Sequence, residues 1–238
     1  MENLHTLNKK QHSQFSVLKE RSKEHGDTYM AAATFPDEFP HIHHKFPIIF
    51  QRGNGDDNFN CLALLGLKDG ENLFIDTPDF LEQRLPLSFE VLPFMISRSG
   101  PEADEGNLVF DPSHPRIQKD GKIGERLFDD DGSQTEFLQN LMRQLKAVVA
   151  GESRTQAFVQ AMRDYELLEL LSVDLSFEDG SSQKLTGFYG IDGKKLSELG
   201  AKALKTLQDK GYLLPCILAH ASLSRLGDLV ERRNKLTR

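Results

Sequence analysis

Histidine is the residue type here best suited to chemistry near neutral pH, and three stand together at His41, His43 and His44. Imidazole ligates Zn, Fe, Ni or Cu, but a site needs three or four converging ligands. On a helix His41 and His44 share a face and His43 diverges. In an extended chain His41 and His43 share a face instead. Either way the remaining ligands must come from Asp37, Glu38 or the distant His220. The simpler reading is a polar lead-in to a strand starting near Phe46, and neither a metal nor any other cofactor is expected. His220 sits in an apolar stretch between Ala219 and Ala221. It is either a general base or ligand, or a core histidine satisfied by one hydrogen bond.

Other polar groups stand at turns. Glu71, Asn72 and Asp76 follow a Lys68-Asp69-Gly70 turn, where hydrogen bonding alone explains polar residues. Asp129-Asp130-Asp131-Gly132 invites a calcium loop. With Gly132 as the loop's glycine, the first and last ligand positions are Leu127 and Leu138, so the loop fails. Ser16 and Ser181 each begin an S-x-x-K but lack the partner motifs. The patterns G-x-S-x-G, H-E-x-x-H, G-x-G-x-x-G and the Walker loop are absent. Cys61 and Cys216 stand in apolar contexts and read as small buried hydrophobes.

These residues need a body to hold them. The chain has 238 residues and a formal net charge of −7. That charge opposes nucleic-acid binding unless a basic patch is segregated. Arg232, Arg233, Lys235 and Arg238 form the one basic run, which reads as a positive helix end. No apolar signal core follows the N-terminus, and no run approaches the ~20 apolar residues of a membrane span. A cytoplasmic protein with no membrane span is expected.

Residues 1–30 lack periodicity and read as a loosely structured arm with a helical turn. Residues 31–238 read as one domain. A short helix is expected from Pro36, stopped by Pro40. Phe46 to Phe50 suits a buried strand. Two apolar runs around Asp69-Gly70 signal a hairpin. Leu87 to Leu92 suits a short helix, and Phe94 to Ser97 and Leu108 to Phe110 suit strands. Helical spacing runs from Phe137 to Val149. Gly151 then interrupts, and a second helix carries Ala157 to Tyr165. Val173 to Phe177 and Leu185 to Tyr189 flank Asp179-Gly180 as a second hairpin. Asp192 caps a helix reaching Leu207, Gly211 ends it, and a last helix starts near Pro215. The order predicts an α+β fold: a mixed or antiparallel sheet from the N-terminal half and the inserted hairpin, packed with C-terminal helices.

Several segments together resemble the SapC family of bacterial proteins. They include Phe46-Pro47-Ile48-Ile49-Phe50, Ala63 to Leu67, Gly70 to Asp76, Leu92-Pro93-Phe94, Leu127-Phe128-Asp129, Thr155 to Val159, Leu185 to Asp192 and Ala219 to Leu223. Order and spacing agree from about residue 7 to residue 230. The family's usual Gly-x-Trp and Tyr-Ile-Pro are replaced here by Thr77 to Leu81 and Arg84-Leu85-Pro86. The resemblance implies a non-catalytic accessory or binding protein, linked to a surface-layer or outer-membrane uptake system. A protein or peptide partner is then expected, with Glu71, Asn72 and Asp76 as a binding surface. The competing expectation is a metal-assisted enzyme using His220 with His41, His43 or His44.

Overall fold

A computed structural model of the chain describes residues 3–53, 58–75, 77, 80, 84–97 and 106–236. Its strands are β1 (His5–Thr6), β2 (Ser16–Val17), β3 (Ala31–Ala33), β4 (Ile48–Arg52), β5 (Phe59–Leu64), β6 (Phe94–Ser97), β7 (Asn107–Phe110), β8 (Ile117–Gln118), β9 (Glu125–Arg126), β10 (Leu168–Ser176) and β11 (Ser182–Ile191). Its helices are α1 (Lys9–His12), α2 (Phe39–Ile42), α3 (Leu87–Glu90), α4 (Glu136–Asp164), α5 (Gly193–Ser197), α6 (Ala201–Asp209), α7 (Leu213–Ser222) and α8 (Leu226–Leu236). The described strand pairs are antiparallel, and the C-terminal helices pack on sheet, so the fold is α+β. The chain divides into two compact units, residues 1–28 with 87–150 and residues 29–86 with 151–238. The dividing point falls inside α4.

The first unit holds two three-stranded sheets, ordered β1-β7-β6 and β8-β2-β9. The N-terminal stretch, which the sequence presents as a loose arm, supplies β1, α1 and β2 to it. Strands of two residues are too short to display alternation. Such short ladders leave backbone carbonyls to be satisfied by side chains. Arg116, only 5 % exposed, does this: Nε and Nη2 donate to Leu18 O at 2.9 and 2.8 Å, and Nη1 to Leu92 O at 2.7 Å. Arg21 pairs with Asp27 at 2.8 Å, donates to Glu90 O at 2.7 Å, and lies over the Phe89 ring.

The second unit is built on a five-stranded sheet in the order β10-β11-β4-β5-β3. The hairpin β10–β11 is the one expected around Asp179-Gly180, with Leu168 opposite Ile191 and Ser176 opposite Ser182. Between the Leu171–Phe188 and Val173–Leu185 pairs, β11 has two residues where β10 has one. Gly187 takes φ +83° there, the left-handed conformation such a bulge requires. Phe50 and Phe158 stack at 6.3 Å on one side of the sheet. Helix α7 packs on β11 and β4.

Five expectations are corrected. Pro40 does not stop a helix but lies in the first turn of α2, where no N–H is needed. The run after Asp69-Gly70 does not return as a strand: Leu73 to Ile75 form a buried turn, and β5 pairs instead with β3 and β4. Gly151 does not interrupt, and α4 runs 29 residues. A Cβ at position 151 would lie 2.4 Å from the Phe35 ring, so the glycine serves a close approach rather than a break. The helix capped by Asp192 ends at Ser197, and α6 restarts after Gly200. Within the last helical stretch, a 3-10 turn at Leu223–Arg225 separates α7 from α8.

Candidate functional site

The segment Gly70 to Ile75 forms a tight loop in the second unit, and its polar groups point into the loop's own scaffold. Glu71 is the clearest case. Its Oε2 accepts from Leu67 N at 3.0 Å, and Oε1 pairs with Arg233 of α8 at 3.1 Å. The Glu71 side chain is 10 % exposed, so the pair is largely desolvated. Asn72 is buried, and its Oδ1 accepts from Phe74 N at 3.0 Å. The Thr77 hydroxyl donates to Phe74 O at 2.6 Å. These bonds turn the chain so that Phe74 drops into the core against Phe46, with ring centroids 4.7 Å apart. Asp76 lies outside the described residues.

His220 is exposed on α7, and its Nδ1 donates to Ile191 O at 2.9 Å. The ring therefore fastens the end of β11 where α5 begins, beside the Asp192 cap whose Oδ1 accepts from Lys194 N and Lys195 N. Two residues on, the Ser222 hydroxyl donates to Ala219 O at 2.6 Å and accepts from Ile48 N at 2.8 Å. Three segments that carry the sequence resemblance, around Phe46 to Phe50, Leu185 to Asp192 and Ala219 to Leu223, thus meet through side-chain to backbone bonds. The role of Ser222 was not legible from sequence. Only its place in an apolar helix hinted that its hydroxyl needed partners.

The three-histidine cluster falls on α2 and the turn after it. His43 Nδ1 donates to Phe39 O at 3.0 Å, and the His43 and His44 rings meet edge-on at 5.7 Å. The touching pair is therefore His43 and His44, rather than either pair the two simple geometries predict. Burial lowers the His44 pKa, with His43, Lys45 and Arg225 adding to the effect. Among the described residues, no group of three or more His, Cys, Asp or Glu side chains converges as a metal site.

Cys61 and Cys216 are free and buried. Burial pushes the Cys61 thiol far up and the Cys216 thiol up to about 12, which keeps both protonated and unreactive. Asp129 to Ser133 close a turn in which Ser133 N donates to Asp131 at 2.7 Å and Gly132 N to Asp129 O at 2.8 Å. The hydrogen bond from Ser133 N holds the Asp131 carboxyl below its usual range. Ser16 is buried in β2 and Ser181 sits in the β10–β11 turn.

Two features of the second unit face outward. Leu214 and Ile217 on α7 are 56 % and 45 % exposed. A cleft of about 380 Å³ opens in the second unit beside α8, lined by Leu73, Thr77, Asp228, Glu231, Arg232, Lys235 and Leu236. Among the described residues, Leu213–Leu236 is long and apolar enough to cross a membrane by length and composition, with mean hydropathy 1.3.

The patterned polar residues of this α+β body fasten its own loops, and a cleft and the exposed Leu214 and Ile217 face outward. The chain belongs to the SapC family, whose model matches residues 7–229. No curated protein and no solved structure matches it.

Proposed function

We propose that this SapC-family chain is a non-catalytic binding or accessory protein that engages a protein or peptide partner. One observation carries the reading. In the segments that match the family pattern, polar side chains are committed to the fold and no catalytic set is assembled. Ser222 holds Ile48 N, Glu71 holds Leu67 N and Arg233, and the described bond of His220 is from Nδ1 to Ile191 O, with no acid or nucleophile bonded to its ring among the described residues. A general base or nucleophile needs its polar atom directed at a substrate. The partner belongs to a surface-layer or outer-membrane uptake system, and the chain acts on it from the cytoplasm. The net charge of −7 disfavours nucleic acid as that partner. Cys216, Ala219 and Ser222 are buried against the second unit's own elements, so the Leu213–Leu236 stretch is read as a packing helix rather than a span.

Affinity purification at native expression, with cross-linking, tests this reading. The expected result is one protein or peptide recovered in fixed ratio to the chain. The reading fails if no partner is recovered and a substrate is turned over in a way that His220→Ala abolishes without moving the thermal midpoint.

A further inference from the structure

Two adjacent arginines on α8 have opposite fates. Arg233 is consumed by Glu71 at 3.1 Å. Arg232 has its guanidinium 4.3 Å over the ring of Phe74, which is 1 % exposed, and makes no hydrogen bond or ion pair among the described residues. Stacking uses the face of a guanidinium and leaves its N–H donors at the edge. Those donors are arranged as a rigid fork that fits a carboxylate bidentately. Arg232 is thus a cation already oriented by a buried ring, on the wall of the 380 Å³ cleft.

The rest of the lining narrows the ligand. Lys235 adds a second cation. Of the two acids present, Asp228 is already paired with Arg225 at 3.1 Å, which leaves Glu231. Leu73 and Leu236 supply an apolar wall. The Thr77 hydroxyl proton is committed to Phe74 O, so Thr77 can only accept. We infer that this cleft captures a peptide C-terminus: its carboxylate on the Arg232 fork beside Lys235, its apolar last side chain on Leu73 and Leu236. Acceptors at Glu231 and Thr77 suit the amide N–H groups that a peptide carries and a fatty acid lacks. The inference rests on the reading of the chain as a peptide- or protein-binding body and names the chemistry of what is bound.

The test titrates the full chain with an N-acetylated tripeptide ending in leucine, as the free acid and as the C-terminal amide, followed by calorimetry and amide NMR. The acid is expected to bind saturably and to shift amides at 73–77 and 228–236. The amide, and the acid with Arg232→Gln, are each expected to bind about tenfold or more weakly. Arg232→Lys keeps the charge and loses the fork. It is expected to bind between the two with an unchanged thermal midpoint, which covers the case in which Arg232→Gln fails to fold. Arg154→Gln, a charge change elsewhere on the surface, binds as the parent does. Equal binding of acid and amide, no binding of the acid, or Arg232 variants that bind like the parent overturn the inference. Octanoate or free leucine binding as tightly as the capped peptide overturns its peptide part. If Arg232→Gln still recovers the partner of the proposed function in full, the inference fails while the broader reading stands.

Discussion

The two units solve one problem in different ways. Backbone polar groups must be paired once they leave water. The second unit pairs them in a ladder: β10 and β11 span nine and ten residues in a five-stranded sheet. The first unit has strands of two to four residues and enlists buried guanidinium groups instead. Arg116 alone serves Leu18 O and Leu92 O, while Arg21 serves Glu90 O and Asp27. Burial, with Arg21 adding to it and Asp27 opposing, brings the Arg116 pKa down to about 10. It remains charged at neutral pH, within reach of a single buried acid. Buried guanidinium groups therefore supplement short ladders around the aromatic core of the first unit, whereas long ladders do most of the backbone pairing in the second.

That contrast breaks most sharply at Asp27. The Arg21–Asp27 side chains are 6 % and 2 % exposed. Removing one partner of a buried pair leaves a desolvated charge and costs about 3–5 kcal/mol. Asp27→Ala is expected to lower stability by that much in urea denaturation. Native-state hydrogen exchange should then find the lost protection in the first unit's amides. Equal loss in both units would show that the division does not describe stability.

The matching change in the second unit is steric. Gly151→Val drives a side chain into Phe35, whose ring already lies 2.4 Å from where a Cβ would stand. Overpacking of this kind costs about 1–3 kcal/mol. The thermal midpoint is expected to fall, and Gly151→Val with Phe35→Ala to recover part of the loss. No recovery would mean that the ring is not the obstacle.

Acid sharpens the comparison with a smaller effect. In the first unit burial lowers the pKa values of His12 and His114. His5 adds to the effect at His12, and Arg116 adds to it at His114, where Asp27 and Asp111 oppose. The second unit has His44 shifted the same way. A histidine whose folded pKa lies below its unfolded value of about 6.5 binds fewer protons when folded. Stability is then complete above about pH 6.5 and is lost as pH falls through the folded values. Urea midpoints measured from pH 8 to pH 5 should decline below about 6.5, with the first unit's amides losing protection first. His114→Gln is expected to flatten that decline.

The smallest effect lies at two helix ends of the second unit. Helix α6 closes with Gly211 N bonded to Gln208 O and Tyr212 N to Leu207 O, and Gly211 at φ +73°. Helix α4 closes the same way, through Glu166 N to Arg163 O and Leu167 N to Met162 O, but with Glu166 at φ 54°. The left-handed turn strains any residue with a Cβ. Glu166→Gly is expected to gain about 0.5–1 kcal/mol, since it sacrifices only an exposed ion pair with Lys195. A loss on thermal melting would mean that this pair matters more than the strain.

Part of the site could be read in advance and part could not. The Asp192 cap, the Gly211 terminus and the β10–β11 hairpin depend on residues a few positions apart. The burial of both cysteines followed from their apolar neighbours. The loop at Gly70 to Ile75 was located but misread as a strand, because Asn72 and Glu71 bend it through contacts that alternation does not encode. His220 was found as a residue of interest, and its carbonyl partner was not.

What the sequence by itself determined is local: the α+β order of elements, their caps and turns, and the SapC membership written in short segments. What only the tertiary structure decided is which distant groups meet. Ser222 reaches Ile48 across 174 residues, and Arg116 reaches Leu18 across 98. Among the described residues, Arg232 is left unpaired over Phe74 while its neighbour is consumed by Glu71. The reason is physical. Turn geometry and periodicity act within a few residues along the chain, whereas desolvation and charge pairing act through space and take effect only once the chain has closed on itself.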